Sequence, residues 1–229
     1  MQNILITGCS SGIGLQTALT LKDNNYKVYA SAKKIEDVEM LRNLGFETFK
    51  IDVRNKEDIS NALNTILQND KKLDAVFNNA GFGQPGAVED LSVEVLKEQF
   101  ETNFFGLHEV TIQAMKIFRK QGYGKIIQHS SVLGIISLKF RGAYNASKYA
   151  IEGLNDTLRQ EVINSNIYIS TINTGPVTSK FRENALEKFN KNIKIEGSFF
   201  EKTYKKELKA RLETTEDKAP FNQIGRAHV

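Results

Sequence analysis

Asn3-Ile4-Leu5-Ile6-Thr7-Gly8-Cys9-Ser10-Ser11-Gly12-Ile13-Gly14 decides how the rest of the chain is read. The apolar run NILIT predicts a strand, the glycines a tight turn, and the residues from Gly12 to about Lys22 a helix. A strand that turns sharply into a helix points backbone N–H groups and the positive helix end at one spot, which suits a phosphate. Glycine serves where a β-carbon would hold the backbone away from that ligand. A glycine turn can also be a mere tight connection, but its place at the start of a βαβ unit favours a dinucleotide site. Thr7, Gly8, Ser10, Ser11, Gly12, Ile13 and Gly14 are its expected contacts.

Outward from this turn, short apolar runs alternate with helical patterns. Strands are expected at 27–31, 46–51, 73–77, 124–129 and 167–172, with helices at 35–44, 56–68 and 144–164. The stretch 91–120 reads as two helices broken near Thr102-Asn103. Strands alternating with helices predict parallel βαβ units, hence one α/β domain with a doubly wound parallel sheet and helices on both faces. Strand order stays open at this level. Residues 180–218 differ, being rich in Lys and Glu with Phe181, Phe189, Phe199, Phe200 and Tyr204 interspersed. Such a segment is either a solvated surface element or a lid over the ligand crevice.

Composition narrows the function classes. The 229 residues carry 31 Lys+Arg against 27 Asp+Glu, a net charge of +4, and 40% are hydrophobic, which excludes a disordered or fibrous chain. That mixed charge argues for a small anionic ligand rather than nucleic acid. No run of 18 apolar residues predicts a membrane span, and the N-terminus lacks the pattern of a secretory signal. One cysteine forms no internal disulfide, and three scattered histidines make no metal cluster. The expected location is the cytoplasm.

After the second strand the chain reads Ala30-Ser31-Ala32-Lys33-Lys34, with no acid before Glu36. A free ribose 2′-hydroxyl favours an acid here; Ser31 and Lys33 suit a 2′-phosphate instead, so NADP(H) is favoured over NAD(H). The plainer alternative is two lysines opening a helix into solvent. Further on, Tyr144 and Lys148 are four residues apart and share a helix face. A phenol titrates near 10 in water, and a nearby ammonium lowers that value, preparing the group for proton transfer. On its own the Tyr-x-x-x-Lys spacing is common and mostly structural.

Taken with its companions, the chain resembles the short-chain dehydrogenase/reductase family, in its short single-domain branch. Thr7, Gly8, Gly12 and Gly14 match the T-G-x-x-x-G-x-G turn, and Asp52-Val53 the pair beside the adenine ring. Asn78-Asn79-Ala80-Gly81 matches N-N-A-G, Asn103 and Gly106 match N-x-x-G, and Ser131 stands 13 residues before Tyr144, the family's catalytic spacing. These motifs run in order from Thr7 to Ser179. Two departures stand out. Thr174-Gly175-Pro176-Val177-Thr178-Ser179 replaces P-G-x-V-x-T, with Thr for the first Pro and Ser for the last Thr. No residues are seen for the family's seventh strand. The wording of the glycine turn, the ASAK stretch and the GPV tripeptide are most similar to the hydroxysteroid- and retinol-dehydrogenase-like subgroup.

The resemblance implies a Rossmann-like sheet lacking its last strand, and NADP(H)-dependent oxidoreduction between a carbonyl and a secondary alcohol. Tyr144 would be the general acid/base, Ser131 would hold the carbonyl oxygen, and Lys148 would lower the Tyr144 pKa and bind the nicotinamide ribose. Asn103 would hold a relay water. Asn79, Ala80, Gly81, Gly175, Val177 and Ser179 would complete the cofactor contacts. It also implies a homo-oligomer, through the helices near Asn103 and Tyr144. A silent NAD(P)-binding redox sensor is the alternative, disfavoured because a sensor does not need all four catalytic positions. His129 beside Ser130 and Ser131 hints at a hydrolytic pair, but no acid stands at a suitable spacing. Cys9 reads as a space-filling side chain. The domain is expected to span 1–223. The final Ile224-Gly225-Arg226-Ala227-His228-Val229 reads as a translated sequencing adapter, hence a non-native tail, or as an ordinary polar end.

Overall fold

The computed structural model describes residues 1–177 and 179–208. Six strands form one all-parallel sheet: β1 Asn3–Ile6, β2 Lys27–Ala32, β3 Glu47–Lys50, β4 Ala75–Asn78, β5 Tyr123–His129 and β6 Asn166–Ile172. Their order is β3-β2-β1-β4-β5-β6. The chain winds outward in one direction from β1 and then in the other from β4. The carboxyl ends of β1 and β4 therefore flank the crevice where an open α/β sheet binds its ligand.

Side-chain alternation along the strands builds two cores. Leu5, Tyr29, Val76 and Ile126 face one side, where they meet helices α3 (Lys56–Asp70) and α5 (Leu107–Gln121) through Ile59, Leu63, Ile66, Val110 and Phe118. Ile4, Ile6, Val28, Ala30 and Phe77 face the other side, against α1 (Gly12–Asp23) and α2 (Ile35–Asn43) through Ala18, Val38 and Leu41. Asn55 caps α3 by accepting from the Glu57 and Asp58 amides at 2.9 and 3.4 Å.

The expected break near Thr102-Asn103 is absent. Between α4 (Val93–Phe100) and α5 the chain stays helical through a π segment, Glu101–Gly106, so the two helices join without a loop. A π turn widens the helix by one residue and redirects the side chains that follow, a device common at functional sites. Helix α6, Gly142–Glu161, packs on this segment and on β6, and ends three residues short of the expected 164.

Along β6, Ile167 and Ile169 are buried whereas Tyr168 and Ile172 are 59% and 43% exposed. No strand follows β6 among the described residues. The tail expected at Ile224–Val229 lies outside them, as does the end of the 180–218 segment. Within that segment, α7 (Phe181–Asn192) and the turns Glu201–Thr203 and Tyr204–Leu208 fold back on the body. Phe189 and Tyr204 are fully buried against Ala87 and Ile193, and the Tyr204 hydroxyl accepts from the Ala87 amide at 2.7 Å and donates to Asp90 at 2.5 Å.

Candidate active site

Each glycine of the first turn is there for steric reasons. Gly8 has φ +71°, and a Cβ on it would lie 2.8 Å from the Ala80 Cα. Gly12 has φ +57°. A Cβ on Gly14 would lie 2.3 Å from the Gly8 carbonyl oxygen and 2.4 Å from Asn79 Nδ2. Ser11 precedes α1 without capping it through its side chain, so the first amides of the helix are not taken by that hydroxyl. The turn is pinned from β4: the Thr7 hydroxyl accepts from the Asn79 and Ala80 amides at 3.0 Å each. These residues fit a pyrophosphate, since the cradle exists only without β-carbons and sits at a helix N-terminus.

At the end of β2 the structure brings Lys33 to Asp52, Nζ to Oδ2 at 3.3 Å. Arg54 grips the same carboxylate in a two-pronged pair at 2.9 and 2.6 Å, and with Lys33 holds it well below the usual carboxylate range. Two exposed cations thus stand together beyond the carboxyl ends of β2 and β3. Val53 is buried, and a Cβ on Gly106 would fall 2.6 Å from its Cγ2. Ser31 does not reach the crevice: it is 1% exposed, and its hydroxyl donates to the Ile6 carbonyl at 3.1 Å.

The four catalytic candidates converge from three elements. Ser131, just past β5, accepts from the Leu133 amide at 3.1 Å and donates to the Thr174 carbonyl at 3.3 Å. Tyr144 sits in the first turn of α6. Burial pushes its phenol up to about 12, against the hydrogen bond from Ser131 and the charge of Arg141, which both lower it. Lys148 is one turn on, its Nζ 5.5 Å from the Tyr144 ring centroid and 2.5 Å from the His129 carbonyl, to which it donates. Burial pulls the Lys148 ammonium down to about 8, with Glu152 acting the other way. The expected lowering of Tyr144 by Lys148 is not seen: desolvation raises the phenol, and the lowering influences come from Ser131 and Arg141. Asn103, on the π segment, clamps Phe82: Oδ1 accepts from its amide at 3.0 Å and Nδ2 donates to its carbonyl at 2.9 Å.

Beyond β6, Asn173 Nδ2 donates to the Ser131 carbonyl at 3.2 Å and to Glu152 at 2.6 Å, while a Cβ on Gly175 would meet nothing within 4 Å. Ser179 lies against Gly12, whose added Cβ would be 3.2 Å from the Ser179 Cβ, and its hydroxyl accepts from the Phe181 amide at 3.3 Å. Phe181 then covers Tyr144. A separate cavity of about 670 Å³ opens on the opposite face of α6, lined by Val88, Leu138, Phe140, Tyr149 and Phe200, and does not touch Tyr144 or Ser131.

Three contributors went unread in the sequence. Asn145 donates to the Leu133 and Ile136 carbonyls at 2.9 and 2.8 Å, so it shapes the loop after Ser131. Phe181 forms a wall of the site. His129 is tied to Asn79 and Thr174. None carries a local signal, since each is joined to partners far along the chain or on the neighbouring loop. Cys9 is buried with its thiol pushed up to about 12, as suits a space-filling residue.

This fold agrees with the comparisons. Residues 2–190 match the family model for short chain dehydrogenase. A relative named "Uncharacterized oxidoreductase YbbO", from Escherichia coli strain K12, is 42% identical over 184 residues, 80% of this chain and 68% of that protein. Retinol dehydrogenase 8 of Bos taurus is 33% identical over 196 residues, 81% of this chain and 62% of its own. The crystal structure of a short-chain dehydrogenase from Streptomyces avermitilis superposes with a TM-score of 0.73 at 29% identity, over 77% of this chain and 66% of that one. The chain belongs to the short-chain dehydrogenase/reductase family of oxidoreductases, with retinol dehydrogenase among its relatives.

Proposed function

We propose that the protein is an NADP(H)-dependent oxidoreductase that interconverts a carbonyl and a secondary alcohol, with Tyr144 as general acid/base. The observation that carries this reading is the Lys148 Nζ held 5.5 Å from the Tyr144 ring centroid on α6, at the same carboxyl end of the sheet as the glycine cradle. The nicotinamide, when bound, supplies or accepts the hydride.

The chain's own residues do the rest. Thr7, Gly8, Ser10, Ser11, Gly12, Ile13 and Gly14 hold the pyrophosphate, with Asn79, Ala80 and Gly81 behind them. Asp52 and Val53 meet the adenine, and Gly175, Val177 and Ser179 the nicotinamide end. Ser131 donates to the substrate oxygen and fixes it beside the phenol. Tyr144 gives its proton to the developing alkoxide, and a phenol kept protonated by burial is ready for that reductive role. Lys148, fully desolvated and near 8, exchanges its proton at physiological pH and can reload Tyr144. A relay water at Asn103 would use the main-chain carbonyl, because the side-chain amide is taken by Phe82.

NADP(H) is favoured over NAD(H) because Lys33 and Arg54 present two cations beside Asp52, while β2 ends without an acid. The segment from α7 through Leu208 acts as the substrate lid. A homo-oligomer and a cytoplasmic location complete the reading: Val93, Leu96 and Phe105 leave apolar surface on the α4–α5 helix, and a free buried Cys9 suits a reducing compartment. The test is NADPH oxidation against a panel of ketones, aldehydes and quinones, wild type beside Tyr144→Phe. Turnover that vanishes in the variant is the expected result. NADPH binding without turnover on any substrate would favour a redox sensor.

A further inference from the structure

His129 has no part in the hydride or proton steps, yet it is partly buried at the carboxyl end of β5 with both ring nitrogens engaged. Nδ1 is 2.8 Å from Asn79 Oδ1, and Nε2 is 2.9 Å from the Thr174 hydroxyl. The direction of these bonds follows from the partners. Asn79 Nδ2 faces the Thr7 and Gly8 carbonyls at 2.9 and 2.8 Å, and carbonyls only accept. Asn79 Oδ1 therefore points at His129, so Nδ1 carries the hydrogen. Burial and the Lys148 charge keep the ring neutral, which leaves Nε2 bare to accept from Thr174.

One directed chain thus crosses four adjacent strands at their carboxyl ends: Thr174 after β6, His129 on β5, Asn79 after β4, and the Thr7-Gly8 carbonyls after β1. Thr174 is also the residue whose carbonyl accepts from Ser131 Oγ and from the Val132 amide at 3.1 Å. It stands where the family pattern has proline, which offers no hydroxyl.

Resting on the oxidoreductase reading above, we propose that His129 is a positioning residue that ties the turn after β6 to the glycine turn through Asn79, setting the nicotinamide end of the crevice before cofactor binds. Thr174 is its matched partner. A ring that merely filled space would have no preferred tautomer and no link to one end of the ligand.

The test uses the full chain. In ring-¹⁵N spectra of the free protein, one of the three histidines should show the Nδ1–H tautomer and no titration between roughly pH 5 and 8. An Nε2–H ring for His129, or a midpoint near its usual value, overturns the proposal. Thr174→Val, which keeps shape and loses the hydroxyl, should weaken NADPH about fivefold by nicotinamide fluorescence, the size of one hydrogen bond. The same variant should bind 2′-phospho-ADP-ribose, which lacks the nicotinamide, within about twofold of wild type in calorimetry. The double variant His129→Val/Thr174→Val should bind NADPH no worse than His129→Val alone. Equal losses for both ligands, or additive losses in the double variant, overturn the positioning role only. A wild type that binds neither ligand overturns the cofactor reading, and the proposal with it.

Discussion

The Phe181 ring lies edge-on to the Tyr144 ring, centroids 5.4 Å apart and planes at 67°. This contact joins the first residue of α7 to the first turn of α6, and so puts the lid segment directly over the proposed proton donor. Gly83 completes the arrangement, because a Cβ there would lie 2.6 Å from the Phe181 ring. The lid is anchored farther out by Lys188, which pairs with Glu98 at 2.5 Å, and by Asn192, which donates to Gln84 at 2.8 Å.

Phe181→Ala should therefore widen the space over Tyr144. Bulky ketones are expected to gain about tenfold in kcat/KM relative to small ones, within the range that hydrophobic pocket contacts discriminate. Steady-state kinetics on a size-graded ketone series checks this; an unchanged ratio would place substrate elsewhere.

Lys33→Ala should weaken NADPH about tenfold and leave NADH within about twofold, because an exposed cation beside a phosphate contributes on the order of 1–2 kcal/mol. Parallel fluorescence titrations with the two cofactors read the ratio. Equal loss for both would assign Lys33 only to holding Asp52.

Gly14→Ala should abolish measurable NADPH binding and cost about 1–3 kcal/mol of stability. The added carbon meets the Gly8 carbonyl and the pinned Asn79 amide, neither of which can move without opening the turn. Urea denaturation and a binding titration on one preparation report both effects.

His129 makes stability depend on pH. Its folded-state pKa is depressed from 6.5 to about 3 by burial and by Lys148, so the unfolded chain binds more protons between those values. The contribution is complete above about 6.5 and is lost as pH falls toward 3, at about 1.4 kcal/mol per unit. Wild type should lose about 2 kcal/mol more than His129→Gln between roughly pH 7.5 and 5 in chemical denaturation. Parallel slopes would show that the ring titrates normally.

Much of the fold was legible because its signals are local. Glycine at Gly8, Gly12 and Gly14 reports a backbone that admits no β-carbon, and the near-continuous apolar runs of β1, β2 and β4 report a sheet buried on both faces. The junction at Glu101–Gly106 was misread as a break because a π turn keeps helical backbone bonding while shifting the side-chain period, which periodicity cannot tell from an interruption. That the Ser31 hydroxyl is buried on the Ile6 carbonyl was not legible, because that partner lies 25 residues away on β1.

The sequence by itself determined the succession of strands and helices along the chain, the glycine turn, and the one-turn spacing of Tyr144 and Lys148, since each depends on residues within a few positions of one another. Only the tertiary structure decided what surrounds them. It placed Lys33 and Arg54 together on Asp52, laid Phe181 over Tyr144, and linked His129 to partners 50 and 45 residues away. It also decided that burial outweighs the lowering influences of Ser131 and Arg141 at the Tyr144 phenol. Desolvation and contacts between distant strand ends are properties of the packed sheet, and no local pattern of residues encodes them.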